Sequence, residues 1–583
     1  MKRPSPSDLP VPRAAVVAAL VVVLLLGAWL RCRGLAFGLP AVYNMDEQAI
    51  MNRSLSFATG TLNPHNFVYP SLYFYLLFAW IGAFFAGGFV VGAFESLREF
   101  ERSYFVDPSA IFLAGRALSV LCGVATVGVV HALGRRLGGT AAGLAGAFLL
   151  AVTPLAVRDA HYVKHDIPVT LLVAIVHLLL AGTVAGRGRL LAAAAVAGLA
   201  ASMHYYAVFL AVPVGLAALW RAGDLRQRLR DVGLCALLMT AAFIAGSPYL
   251  LLDLGTALRD MAANRAIVVD RAADHGGVMA SLAVYLDLLR RDAPGWPVLA
   301  AAAGGAFVLA RSAPRQLLLL VAFPAVFFAF LVNTVPASRY LNPLLPALMV
   351  LAGIGIAEAS RAASAAHRRL VSVAAVALSV LIAVPSVRHS LAIGSFFRQD
   401  DTRTLAARYI ESRIPAGSTV LLQPYSVPLR VSREGLEEAL AHHLNGRPVP
   451  PRFERQLALD PYPAPAYRLL WLGDGGLDVD KIYISYGALP EEAPLRPLHE
   501  AGVNVVVFKR YNEEAGPALR IGTALEREAR LLARFSPFAP GTSEDVQARV
   551  EPYLHNVNAR LHPALERPGP VIEVWQLDAT RIH

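Results

Sequence analysis

AVYNMDEQAIMN (residues 41–52) is the stretch on which the reading of this chain turns. Asp46 and Glu47 stand side by side shortly after the first apolar run, residues 14–30. Adjacent carboxylates at a membrane face are costly unless they are solvated, capped or used. The segment that follows, TGTLNPHNFVYPSLYFYLLFAW (59–80), is neither a soluble loop nor an ordinary span. The combination points to chemistry at the outer membrane surface.

The class of protein follows from composition. The 583 residues are 56% hydrophobic and only 16% charged, with mean hydropathy +0.50. A soluble chain of this length would divide into several domains. Here many apolar runs are roughly 20 residues long, the length that crosses a bilayer core. We therefore expect a polytopic α-helical membrane protein. Run 14–30 is too long, and too poorly followed by a cleavage site, to be a removed signal peptide.

A net charge of +11 and pI near 9.7 raise nucleic acid as a partner, but the placement of the charge argues against it. Arg135 and Arg136; Arg187 and Arg189; Arg221, Arg226, Arg228 and Arg230; Arg311 and Arg315; and Arg361, Arg368 and Arg369 all lie between apolar runs. That is the positive-inside pattern of cytoplasmic loops. Cys32, Cys122 and Cys235 lie in or beside apolar runs, with neither a disulfide framework nor thiolate metal spacing.

Charge parity gives a topology. Lys2, Arg3 and Arg13 place the N-terminus in the cytoplasm, so 14–30 exits outward, while Arg135 and Arg136 belong inside. Three apolar stretches lie between (14–30, 70–92 and 111–133), so one does not cross. Stretch 70–92 begins at a Tyr-Pro, holds Gly87-Gly88 and runs into ESLREFERSYFVD (95–107). It is predicted as a helix in the outer leaflet, within a first external loop over 31–110. Region 190–220 is basic at both ends, so it should contain two short helices broken at Met203-His204-Tyr205-Tyr206, as helices lining a cavity are. The other apolar runs alternate, for about eleven crossings with the C-terminus outside. The expected site is the bacterial plasma membrane.

Composition changes near residue 388. DTRTLAARYIESRIPAGSTVLLQ (401–423) reads as a helix, a Pro-Gly turn and a strand. KIYISY (481–486), VNVVVF (503–508) and VIEVWQL (571–577) read as strands, interrupted by the Pro-rich 447–467. This predicts a membrane domain over 1–387 and a soluble extracytoplasmic α/β domain over 388–583. The absence of an internal repeat weakens a transporter built from inverted repeats.

Four places carry candidate chemistry. Asp46 and Glu47 are the first, although Asn44 with Glu47 also resembles a capping box, in which Asp46 merely favours a helix N-terminus. RDAHYVKHDIP (158–168) is the second, concentrating Arg158, Asp159, His161, Lys164, His165 and Asp166. Asp166 before Pro168 also suits a helix start. Lys164 is one of four lysines, with Lys2, Lys481 and Lys509. In so arginine-rich a chain, it suggests a need for a compact ammonium. Arg339 in ASRYLNPLLPAL (337–348) is the third, either an anion clamp or an interfacial snorkelling arginine. His204, Tyr205 and Tyr206 at the hairpin break are the fourth, with His65 and Tyr69 as candidates to line the same cavity. Outer-face acids, outer-face cations and a cavity open to lipid suit sugar transfer from a polyprenyl-phosphate sugar. A carboxylate accepts the acceptor's hydroxyl proton, and cations or a metal hold the leaving phosphate.

These residues resemble the membrane glycosyltransferases of the GT-C fold, in the glycosyltransferase family 39-like group of protein O-mannosyltransferases and lipid A aminoarabinose transferases. The likeness rests on the early external DE and on YPSLYFYL (69–76). It rests also on GRALSVLCGVATVGVVHALGRRLGG (115–139), YVKHDIPVTLLVAI (162–175) and the late RYLNPLLPAL (339–348). It extends over about 1–410, with the remainder looser. The HPPL-type motif of the O-mannosyltransferases is reduced here to VYPSL (68–72).

The resemblance implies that Asp46 is the catalytic base or a metal-associated acid and Asp166 the second external acid. Glu47 or Asp166 would orient acceptor or metal. Lys164, Arg158 and Arg339 fall where donor-phosphate contacts are placed, with Asp159 and His165 beside them. A divalent ion is left open, with no ligands assigned. The implied partners are a polyprenyl-phosphate sugar donor, a lipid, glycan or protein acceptor, and membrane lipids. A transporter or flippase of lipid-linked sugars is the alternative, and a membrane scaffold presenting the outer domain is a third reading.

Overall fold

The structure, a computed structural model, describes residues 12–182, 186–271, 276–363, 368–475, 478–510, 516–556 and 558–577. Lys2 and Arg3, which anchor the charge-parity argument, lie outside these residues. The chain forms two compact units. One is Met1–Leu35, Met45–Gly87 and Ile111–Ser395; the other is Ala36–Asn44, Gly88–Ala110 and Phe396–His583.

The first unit is helical. It begins with α1 (Arg13–Cys32), α2 (Met45–Ser56) and α3 (Leu72–Val90). The next helix, α4 (Leu97–Val106), falls in the second unit; then α5 (Ser109–Gly138), α6 (Thr140–Val152), α7 (Pro154–Asp159), α8 (Asp166–Leu180) and α9 (Arg187–Ala201) return to the first. Among the described residues, seven helices are long and apolar enough to cross a membrane: α1, α3, α5, Leu225–Gly246, Pro314–Leu331, Ser338–Ala362 and Val373–Phe396. An eighth arises if Gly277–Arg291 and Trp296–Ser312, bent by 100°, form one span. Three shorter apolar helices, Thr140–Val152, Asp166–Leu180 and Tyr205–Leu219, complete the set.

Two expected spans need comment. The run 139–157 is split into α6 and α7 at Thr153, because the residue before Pro154 is pushed out of the helical region and Pro154 starts a new helix. Helix α3, placed in one leaflet by charge parity, has 19 residues and qualifies by length and composition as a span. The hairpin break lies where expected. After α9, the chain leaves helical geometry at His204 and enters a 3-10 segment, Tyr205–Leu210, before Ala211–Leu219.

Small residues set the packing of the interior. A Cβ on Gly146 would lie 2.7 Å from the Met349 carbonyl, and one on Gly353 would strike the Ala142 carbonyl. Helix α6 and Leu345–Ala363 therefore approach backbone to backbone, as small residues allow in membranes. The three cysteines are free.

The second unit carries a six-stranded sheet: β1 (Thr419–Leu422), β2 (Arg468–Leu472), β3 (Ile482–Ile484), β4 (Val505–Arg510), β5 (Arg530–Phe535) and β6 (Val571–Gln576). The order is β3-β2-β1-β4-β6-β5. The first four strands are parallel, and β6 runs antiparallel to both β4 and β5. Alternate residues feed two cores. Val420, Leu422, Val505 and Val507 meet Ala406 and Ile410 of the helix Thr402–Arg413, while Leu421, Val506 and Phe508 meet Ile521 and Leu525 on the other face. Burial on both faces explains the unbroken apolar run VVVF (505–508).

Candidate functional site

Helix α2 begins at Met45, so Asp46 and Glu47 occupy its first turn. Successive residues on a helix point roughly 100° apart, and the two carboxylates accordingly face different surroundings. Glu47 is fully buried and forms a bidentate pair with Arg116 of α5: Nε donates to Oε1 and Nη2 to Oε2, both at 2.9 Å. The same carboxylate accepts from the Val163 amide at 2.9 Å, and Arg116 also donates to the Leu35 carbonyl. Glu47, at a capping-box position, thus has a tertiary role. Its carboxylate joins α2, α5 and the 160–165 turn, with no exposed surface for substrate.

Asp46 faces the other way and keeps 43% of its side chain exposed. The Lys164 ammonium lies 2.9 Å from Asp46 Oδ2, Arg339 Nη1 lies 3.6 Å from the same oxygen, and Arg339 Nε lies 4.0 Å from Asp166 Oδ1. Two acids and two cations, from sequence positions nearly 300 residues apart, meet in one place. Partial burial pushes the Asp46 carboxyl up, but Lys164 and Arg339 outweigh it and hold the group below the usual carboxylate range.

The turn that carries Lys164 and Asp166 is clamped from several sides. Ser119 donates to the Tyr162 carbonyl at 2.7 Å, and the His161 ring bridges the Val157 and Arg33 carbonyls. Arg158 pairs with Asp159 at 2.8 Å and donates to the Ser338 hydroxyl, while Asp159 accepts from Asn342 at 2.6 Å. Arg158 and Asp159, expected to touch substrate, instead pin this turn to the 3-10 segment Ser338–Leu344 that holds Arg339.

Behind the charged group lies a buried cluster of imidazoles and phenols. The Tyr69 ring stands edge-on to His165 with centroids 3.9 Å apart, His165 lies 5.5 Å from His204, and His204 lies 3.8 Å from Tyr206. Burial, then Arg339, Lys164 and Arg53, keep His165 well below its ordinary pKa, so the imidazole is neutral at pH 7. Two predicted members do not join. Tyr205 donates to the Phe67 carbonyl at 2.8 Å and packs with Phe67 and Leu250, because its neighbour Tyr206 takes the inward direction. His65 is largely exposed, 3.8 Å from Asp253.

Sequence reasoning missed Asn342 and did not single out Arg116. An arginine within the apolar run of α5 is itself a signal, since a charge there needs a partner. Among the described residues, no group of three His, Cys, Asp or Glu side chains could hold an ion, and the carboxylates of Asp46 and Glu47 already face cations.

The helical architecture around this site is a GT-C fold, as the comparisons show. Residues 110–251, which include Lys164, Asp166 and His204, match the family model described as dolichyl-phosphate-mannose-protein mannosyltransferase. The fold is similar to that of ArnT from Cupriavidus metallidurans, solved bound to undecaprenyl phosphate. The TM-score is 0.52 at 14% identity, covering 90% of this chain and 97% of that one. The apo ArnT structure gives 0.51 at 14% identity, covering 90% and 96%. The apo oligosaccharyltransferase of Archaeoglobus fulgidus gives 0.50 at 11% identity, covering 85% of this chain and 70% of that one. No curated protein matches the sequence.

Proposed function

We propose that this chain is an integral membrane glycosyltransferase that moves a sugar from a polyprenyl-phosphate donor to an acceptor hydroxyl, with inversion. The observation that carries the reading is Asp46 set between Lys164 and Arg339, partly open, with Asp166 behind. The undecaprenyl phosphate of the ArnT structure supports a lipid phosphate as the group these cations receive.

In the resting protein the two cations neutralise Asp46. An arriving phosphodiester competes for them and releases the carboxylate, whose proton affinity then rises. Asp46 accepts the proton of the acceptor hydroxyl as its oxygen attacks the anomeric carbon from the face opposite the phosphate. The bond between that carbon and the phosphate oxygen breaks with its electron pair. The polyprenyl phosphate leaves carrying an extra negative charge, which Lys164 and Arg339 stabilise. A single displacement inverts the anomeric configuration. Glu47, sealed against Arg116, acts as a positioning residue, as do Arg158 and Asp159. The site faces the extracytoplasmic side of a bacterial plasma membrane, with the N-terminus cytoplasmic and the C-terminal unit outside.

Purified protein in nanodiscs tests this. Wild type should bind undecaprenyl phosphate, and Lys164→Met and Arg339→Met should each weaken that binding by about tenfold or more. Release of undecaprenyl phosphate from a polyprenyl-phosphate sugar should require Asp46. Failure to bind the lipid phosphate, or translocation of labelled lipid across vesicles without transfer, sinks the reading and favours a flippase.

A further inference from the structure

Buried polar atoms left without hydrogen bonds concentrate beside the charged site. Both ring nitrogens of His165, both of His204, the Tyr206 hydroxyl, Asp166 Oδ1 and Asn342 Oδ1 have no hydrogen-bond partner among the described residues. Arg339 Nη1, although paired in charge with Asp46, also makes no hydrogen bond. Each of the five side chains His165, His204, Tyr206, Asp166 and Asn342 is more than nine-tenths buried. Buried polar groups are paired in nearly all proteins, so a concentration of unpaired ones calls for a ligand.

The chemistry of the unpaired atoms says which ligand. A neutral imidazole offers one donor and one acceptor, and a phenol hydroxyl offers both. Asp166 and Asn342 add acceptors, and Arg339 adds a donor. An ammonium only donates and a carboxylate only accepts, so neither satisfies a set balanced in this way. A hydroxyl donates and accepts at once. Tyr69 and Tyr340 supply aromatic walls for the C–H faces of a ring, with Tyr340 at 6.1 Å from both His204 and Tyr206.

We infer that His165, His204 and Tyr206 form the subsite that holds the hydroxyls of the transferred sugar, and that this sugar is neutral, carrying neither an amino nor a carboxyl group. The inference rests on the proposed glycosyl transfer. Asp46, Lys164 and Arg339 handle the anomeric bond and the phosphate, while the imidazole–phenol cluster reads the rest of the ring.

The test is binding to nanodisc-embedded full-length protein. The probes are undecaprenyl phosphate and a set of undecaprenyl-phosphoryl sugars: neutral hexoses, neutral pentoses, an aminopentose and a hexuronic acid. At least one neutral sugar should bind on the order of tenfold tighter than the bare lipid phosphate. His204→Phe and Tyr206→Phe, the latter removing a single oxygen, should abolish that preference and leave affinity for undecaprenyl phosphate within about twofold of wild type. Three results overturn the inference: no sugar binding tighter than the bare lipid, an amino or acidic sugar binding tightest, or both variants losing the bare lipid as severely as the sugar-bearing one. Failure of wild type to bind undecaprenyl phosphate at all is a different outcome, which removes the glycosyl-transfer reading itself.

Discussion

The Lys164 ammonium rests 2.9 Å from Asp46 Oδ2, so the acid proposed as base and a cation proposed for phosphate neutralise each other before any substrate arrives. This mutual neutralisation is a switch by competition, because a phosphate that claims Lys164 frees Asp46. Several outcomes follow from it and from the neighbouring contacts.

Asp46→Asn should separate chemistry from binding. Loss of the base should lower kcat by about 10²- to 10⁴-fold. Undecaprenyl phosphate should bind as tightly as to wild type or more tightly, since Lys164 and Arg339 no longer share their charge with a carboxylate. Parallel turnover and titration measurements decide it, and a variant that loses both equally contradicts the competition.

The acidic limb of the pH profile follows from the sign of the Asp46 shift. Its pKa in the folded protein is depressed, so the ion pairs contribute above the unfolded value and are lost only as pH falls through the lower folded value. The free-enzyme profile, kcat/KM, should therefore show no loss attributable to Asp46 above about pH 4. Lys164→Met should move that limb upward. An unmoved limb in this variant removes Lys164 from the pair.

Glu47→Gln tests a structural role. Replacing the carboxylate of a fully buried bidentate pair leaves the buried Arg116 charge without its counter-ion, at a cost of about 3–5 kcal/mol. A large fall in Tm is expected, and a paired Glu47→Met/Arg116→Met replacement should recover part of it. If Glu47→Gln keeps its Tm and loses only turnover, Glu47 belongs to the chemistry after all.

In the second unit, Lys509 is buried on β4 and donates to the Pro424 carbonyl at 3.0 Å. Burial, and then Arg403, lower its pKa to about 8. Between that value and the ordinary 10.5, the unfolded chain binds more protons than the folded one, so stability rises with pH across this window. Lys509→Met should raise Tm at pH 7, by an amount corresponding to no more than about 3 kcal/mol, and the gain should shrink towards pH 10.5. A gain independent of pH would assign it to packing.

Much of the architecture was legible from local pattern. The strands over 419–422, 482–484 and 571–576 fall within segments whose alternation or apolar runs marked them, and 505–510 begins in such a segment and runs two residues beyond it. Strands β2 and β5 did not show. The short Arg468–Leu472 follows directly on the Pro-rich loop, which hides its start, and the edge strand Arg530–Phe535 keeps two arginines and apolar residues that are half-buried or exposed, so it carries no clear burial pattern. The hairpin break at His204 was visible as a short apolar region basic at both ends. The direction of its side chains was not, and Tyr206 rather than Tyr205 turned inward.

By itself, the sequence determined the membrane class, the broken hairpin and the small set of unusual charges, because apolar length and charge placement are local quantities. Only the tertiary structure decided which acid meets which cation. Asp46 and Glu47 are neighbours in sequence, yet one turn of α2 sends Glu47 inward to Arg116, 69 positions away, and Asp46 outward to Lys164 and Arg339. A helix separates adjacent side chains by roughly 100°, and what each then faces is set by elements the local sequence does not contain.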